Sequence, residues 1–211
     1  REMPTRCTLD NEAGYWAWQF IQDLVHKHRV APPKAEQTAL GGDFATGKVG
    51  FYIDGTWAIN SYRKIDAFRW DLADLPNGPA GRASALFTGN YWMAAQTGIP
   101  DLAWDFLVFL ISREGQMIFA ADGMKTPLLK EAANSDVFLN LEGAPEHHSV
   151  RITAAAEYGR GYPYYHPKFT EVVSKVWGPE MDLLLLNKKT GKQCIDALVP
   201  NTNEMIAPAE S

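Results

Sequence analysis

The chain is 211 residues long, 46% hydrophobic and 21% charged, a balance that fills one large core or two small ones. Its 20 basic residues against 25 acidic ones give a formal charge of −5, and the longest basic stretch is Lys188-Lys189 followed by Lys192. That is too little clustered charge to neutralise a run of phosphates, so nucleic acid is not an expected partner. No apolar stretch approaches the roughly 18 residues a membrane helix needs; the best candidate, Leu183–Leu186, is flanked by Asp182 and Asn187.

The opening residues Arg1-Glu2-Met3-Pro4 carry neither an apolar signal core nor a translational start. Either targeting information has been removed or the chain starts partway through a longer protein. Cys7 and Cys194 permit one disulfide, but spacing cannot bring them together, and Cys194 falls on the expected buried face of a helix. Free thiols are therefore the expectation. Aromatic residues make 12% of the chain, several of them in loop-like sequence where core packing explains them less well.

In chain order, Asp10 is the expected N-cap of a first helix, whose Ala13, Trp16, Phe20, Ile21, Leu24 and Val25 recur at helical spacing up to about His28. The stretch Ala31–Gly42 reads as loop. Short strands are expected at Val49–Ile53, Trp70–Leu75, Ala85–Phe87 and Trp92–Ala95. Pro100 suits a first helical turn, and Leu102, Ala103, Phe106, Leu107 and Leu110 form an apolar face behind it. Ser112 is positioned to cap a further helix that ends at Gly123. Beyond it the spacing predicts a helix over Glu146–Tyr158, an aromatic loop at Gly159–His166, and a helix from Pro167 to Leu186 that Gly178-Pro179 should kink or break. Thr190 and Gln193 have capping-box spacing for a last helix, which Pro200 is expected to interrupt. Helix, strand cluster, then helices indicates α/β or α+β architecture, with too few strands for a large sheet of their own.

Two segments carry a family resemblance. Phe44-x-x-Gly47-Lys48-Val49 running into Asp54-Gly55-Thr56-Trp57 resembles the "F-x-x-G-K-x-A-M … G-x-W" signature of the extracellular solute-binding proteins of family 1, the group that includes the maltose- and trehalose-binding proteins of ABC importers. Ala103-Trp104-x-Phe106-Leu107-x-Phe109-Leu110-x-Ser112-x-Glu114-Gly115-Gln116, with Phe119, Gly123 and Pro127, is similar to that family's "A-W-x-F-L-x-F-L-x-S-x-E-G-Q … F … G … P" segment. The departures are Gly50 and Phe51 where Ala and Met are usual, and Asn90 where a second Gly is common. The resemblance implies a helix-rich α/β fold with a few short strands, periplasmic-binding-protein-like (type II), of which this chain would be the C-terminal half. It further implies that residues 1–45 finish a visit to the C-terminal lobe, 46–110 return to the N-terminal lobe, and 111–211 close the C-terminal lobe.

Three places qualify as contacts for a bound solute. Trp57, after the Asp54-Gly55 turn, either stacks on the apolar C–H face of a sugar ring or packs under a loop; the family's G-x-W tryptophan favours the first. Gly89-Asn90-Tyr91-Trp92 combines close backbone approach, an amide and two aromatic platforms, or else is a hairpin turn with exposed rings. Arg160 and the run from Tyr162 to His166 resemble a family segment whose arginine bonds sugar hydroxyls, the alternative being an arginine paired with a surface acid. Asp54 either accepts from a hydroxyl or shapes its own turn. His26 and His28 face different directions on a helix, and the adjacent pair His147-His148 offers no metal geometry, so neither metal nor cofactor is expected.

The resemblance then implies a non-enzymatic, monomeric carbohydrate-binding subunit of a bacterial ABC importer. It would lie in the periplasm or outside the cell, free or, in a full-length protein, lipid-anchored, and hand a sugar or oligosaccharide to the transmembrane permease after hinge closure. The rival solute is a glycerophosphodiester. The rival class is a glycoside-processing enzyme, which needs two carboxylates about the scissile bond; Asp71 and Asp74 are the nearest approach to such a pair, and on a strand they would face opposite ways.

Overall fold

The computed structural model describes residues 4–33, 36, 44–143, 145–161 and 166–207. The chain forms two compact units, one of Arg1–Thr46 with Pro163–Ser211 and the other of Gly47–Tyr162. Residues 111–162 thus group with 47–110.

The first unit opens with helix α1 (Glu12–His26), capped by Asn11, whose side chain accepts from the Gly14 amide. The cap is one residue later than Asp10, which instead lies in reach of Arg6. No helix among the described residues is long and apolar enough to cross a membrane.

In the second unit, 48–55 form no strand. The β-branched and aromatic run suits a strand, but Phe51 is 96% and Ile53 80% exposed, and no β-ladder among the described residues includes the segment. A 3₁₀ turn (Thr56–Ala58) and one helical turn (Ile59–Tyr62) follow, with Ile59 buried. The expected strands at Trp70–Leu75 and Trp92–Ala95 are likewise irregular. Strand β1 (Ser84–Leu86) lies one residue before its expected place. Helices α2 (Pro100–Ile111) and α3 (Arg113–Asp122) meet at Ser112, whose Oγ accepts from Gly115 N at 3.2 Å. Gly123, at φ 75°, ends α3 in the left-handed region. A Cβ on Gly115 would lie 2.2 Å from Phe109 O, so the tight α2–α3 corner admits only glycine.

Gln116, buried behind that corner, donates to Leu110 O at 2.8 Å and accepts from Leu128 N at 2.7 Å, tying the corner to the following loop. Further along, Val150–Thr153 is α-helical and Ala154–Tyr158 widens into a π turn, so the helix expected from Glu146 begins later. Strand β2 (Gly159–Gly161) occupies the start of the expected aromatic loop and pairs parallel with β1, Ala85 opposite Arg160. The core of this unit gathers Ile59, Ala120, Ala132, Ala133, Phe138 and Tyr158.

The chain returns to the first unit with a helical turn at Phe169–Val172, a π turn at Val173–Trp177, and α4 (Gly178–Leu185). Pro179 sits in the first turn of α4, where its missing N–H costs nothing. The expected break is thereby reduced to the π turn. Helix α5 (Gly191–Ile206) starts from the Thr190–Gln193 capping box and runs through Pro200 without interruption. Pro200 faces solvent while Leu198, Val199 and Thr202 are buried, and that packing offsets the roughly 3 kcal/mol an interior proline costs.

Trp18, Val176, Leu184, Cys194, Ile195, Leu198 and Val199 form this core, with Cys7 packed at its margin. Cys7 and Cys194 are free thiols, and burial first, then Glu180, pushes Cys194 up to about 11.

Candidate solute site

Asp54, Trp57, Asn90, Tyr91, Trp92 and Arg160 all belong to the second unit, and Tyr162 lies outside the described residues. Trp57 is on the 3₁₀ turn and not at a strand tip. Its ring lies against Gly55, where a Cβ would come within 2.2 Å of the indole, so the G-x-W spacing has a steric cause. Half of Trp57 remains exposed, and its ring meets Phe87 edge to face at 5.4 Å. Asp54 shapes the turn: Oδ1 accepts from Gly55 N at 2.6 Å, and Oδ2 accepts from Tyr62 Oη at 3.0 Å. Two of its roughly four acceptor sites are thereby used.

Phe87 directly follows β1 and leads into Thr88–Trp92. Asn90 is exposed, Tyr91 tilts toward Phe119 of α3 at 6.2 Å, and Trp92 is 84% exposed. Lys125 brings Nζ to within 2.9 Å of where a Cβ on Gly89 would stand, placing an exposed ammonium beside the loop. Arg160 sits on β2 opposite Ala85, donates to Gly159 O at 3.1 Å, and pairs with no carboxylate among the described residues. Paired residues of a ladder share a face, and side chains alternate along an extended chain. Carried one residue past β1, that alternation puts Phe87 on the side of Ala85 and Arg160. The β1–β2 ladder therefore connects the three candidate segments: Trp57 through Phe87, the 88–92 loop by continuity, and Arg160 by pairing.

Phe87 and Lys125 carry no signal in the sequence, because each reaches the site through contacts with distant residues. The same is true of the support beneath β2. Tyr158 donates to Asp74 Oδ1 at 2.6 Å, Arg82 pairs with the other Asp74 oxygen at 3.2 Å, and the Arg82 guanidinium covers the Tyr158 ring at 5.2 Å. Burial first, and then Asp74, push the Tyr158 phenol up.

Asp71 lies instead with His147, accepting from its backbone N at 2.9 Å and meeting its Nδ1 through Oδ2. Burial pushes the Asp71 carboxyl up, but the His147 hydrogen bonds outweigh it and hold the group below its usual range. The same contact raises His147. Asp71, Glu146 and His147 have ligand atoms within 4.8 Å of one another, all exposed. This is metal-ligand spacing, although His147 Nδ1 is already engaged by Asp71. An open groove lined by Arg63, Asp66, Arg69, Trp70, Asp71 and Glu146 contains none of the candidate solute contacts.

Fold and site define the class: a helix-rich α/β chain with an exposed aromatic and cationic surface built on short strands. The sequence profile of the bacterial extracellular solute-binding proteins matches residues 5–146, and the chain belongs to that family. Two solved structures share its fold, which is periplasmic-binding-protein-like (type II). The ABC substrate-binding protein Lmo0181 from Listeria monocytogenes, solved in complex with cycloalternan, is 16% identical with a TM-score of 0.78. UspC of M. tuberculosis is 20% identical with a TM-score of 0.67. Each alignment covers 96% of this chain and 51% of the other, so the chain spans about half the length of those proteins.

Proposed function

We propose that the chain is part of the carbohydrate-binding subunit of a bacterial ABC importer, a non-enzymatic and monomeric protein outside the cytoplasmic membrane, lipid-anchored or free. The observation that carries the reading is the junction of Trp57, the 88–92 loop and Arg160 along β1–β2. An exposed indole backed by Phe87 offers a flat apolar platform for the C–H face of a sugar. Arg160 offers a planar fork of donors for vicinal hydroxyls, and Asn90 adds both a donor and an acceptor. Apolar area would supply affinity, while polar groups left unpaired by the wrong isomer would supply selectivity. The lobe assignment of 1–45, 46–110 and 111–211 is part of the same proposal, as are hinge closure and hand-over to the permease.

The cycloalternan held by the Listeria protein makes cyclic and linear gluco-oligosaccharides the first probes. Calorimetric titration of the native-length polypeptide with cycloalternan, maltose and trehalose should give saturable binding by at least one. In that background Trp57→Ala should weaken binding at least about tenfold, or 1.4 kcal/mol. Unchanged affinity in Trp57→Ala would remove Trp57 from the site.

A second reading has its own observation. The Lys125 ammonium beside Gly89, together with Arg160, suits the phosphate of a glycerophosphodiester. Glycerophosphocholine in the same titration decides between the two solutes. The glycosidase reading loses support, since Asp71 is engaged with His147 and Asp74 with Tyr158 and Arg82.

A further inference from the structure

The β1–β2 ladder is only three residue pairs long, and a two-stranded sheet of that size is marginal by itself. It is tied at one end by Asp74, which stands outside both strands. The segment from Asp74 to Arg82 doubles back through the Gly78–Gly81 bridge, Gly78 N donating to Gly81 O at 2.9 Å and Gly81 N to Gly78 O at 3.0 Å. Arg82, two residues before β1, thereby returns to Asp74 and meets its Oδ2 at 3.2 Å. Tyr158, the residue before β2, is buried and donates to Asp74 Oδ1 at 2.6 Å, while its ring lies under the Arg82 guanidinium. One carboxylate thus holds the entrances of both strands.

The backbone between Tyr158 and Arg160 transmits that hold. Ala154–Tyr158 is a π turn, and its wider winding gives Tyr158 a bearing that a continued α-helix would not. The chain passes straight into β2 at Gly159, where a Cβ would lie 2.8 Å from Ala155 O. Arg160 follows, exposed, with a hydrogen bond to the adjacent Gly159 O and no carboxylate partner among the described residues. The strand register therefore sets where its guanidinium stands.

We propose that Asp74 is a positioning residue for the solute site. Through Tyr158 and Arg82 it fixes β2 against β1, and so fixes where Arg160 presents its planar fork of donors. A slip of one residue would turn Arg160 to the opposite face of the ladder, away from the side shared with Ala85 and Phe87. The hold on the register stands on these bonds alone. Its consequence for binding rests on the reading of Arg160 as a solute contact.

Amide hydrogen exchange of the 211-residue chain reads the register without any solute, with Phe138, fully buried in the same unit, as the control for folding. Tyr158→Phe and Asp74→Asn should each speed exchange several-fold at Ser84–Leu86 and Gly159–Gly161 and leave Phe138 unchanged. Unchanged exchange in the ladder overturns the proposal. So does loss of protection at Phe138 in both variants, which would make the cluster a general prop of the fold. Calorimetric titration with cycloalternan, maltose and trehalose, on the protein as its source cells make it, reads the consequence for binding. Arg160→Ala should weaken binding about tenfold and Tyr158→Phe several-fold. The double variant should bind no more weakly than Arg160→Ala alone, because the phenol acts only through the guanidinium. Additive losses overturn the positioning role. Full affinity in Arg160→Ala instead removes Arg160 from the solute site, and the exchange result still decides the hold on the register.

Discussion

Asp71 and His147 titrate against each other at the surface of the second unit, and the signs are opposite. His147 is raised, so its contribution to stability is complete below about pH 6.5 and is lost as pH rises through the folded value. Asp71 is lowered, so its contribution is complete above about pH 4 and is lost as pH falls. The pair therefore acts between about pH 4 and the titration of folded His147. Following the His147 imidazole by NMR should show a pKa above the ordinary histidine value, and Asp71→Asn should bring it back down. An unmoved titration would mean that the contact is not populated in solution. Arg151 behaves differently. It is buried, donates to Gly123 O at 2.6 Å and to His148 Nδ1 at 3.1 Å, and lies over the Phe138 ring at 4.5 Å. Burial, and to a lesser extent Arg63, hold it down to about 10. His148 Nε2 donates to Leu139 O, which fixes the tautomer that leaves Nδ1 free to accept. Arg151→Met strands the Gly123 carbonyl and should cost about 1–3 kcal/mol in a denaturant titration.

The contact between α1 and α5 depends on what is absent from their surfaces. A Cβ on Gly191 would stand 2.5 Å from Gln19 N, so Gly191→Ala must push the helices apart. A loss of about 1–3 kcal/mol is expected, against about 0.5–2 kcal/mol for removing the neighbouring cap with Thr190→Ala. Thermal melts of both variants, with binding to any solute left aside, check the order. Local signals of this kind were legible in the sequence. The Ser112 cap, the Gly123 terminus and the Thr190–Gln193 box each depend on residues within one turn. Strands were not legible in the same way. The β-branched and aromatic run at Val49–Ile53 resembles a strand, but a strand exists only through its partner, and β1 finds its own more than seventy positions away at β2. Gln22 shows the same limit: its side chain donates to Lys189 O at 2.8 Å and to Asn187 Oδ1 at 3.0 Å, a buried tie across the first unit that no pattern in α1 announces. Of the proposed solute contacts, Trp57, Asn90–Trp92 and Arg160 were reachable through the resemblance. Phe87 and Lys125 were reachable only through the fold.

For the molecule as a whole, a chain that matches half of each solved relative carries its proposed solute contacts on an exposed surface. Such a surface holds a solute firmly only when a facing wall removes it from water, so capture is proposed for the protein as its source cells make it. The protein is proposed to capture a carbohydrate without chemistry. The most direct measurement is calorimetric titration of that protein with neutral gluco-oligosaccharides, with the recovered sugar analysed by mass. One-to-one saturable binding with a negative heat-capacity change is expected, with every sugar recovered intact. Cleaved sugar, or binding of glycerophosphocholine with no response to any carbohydrate, would contradict it.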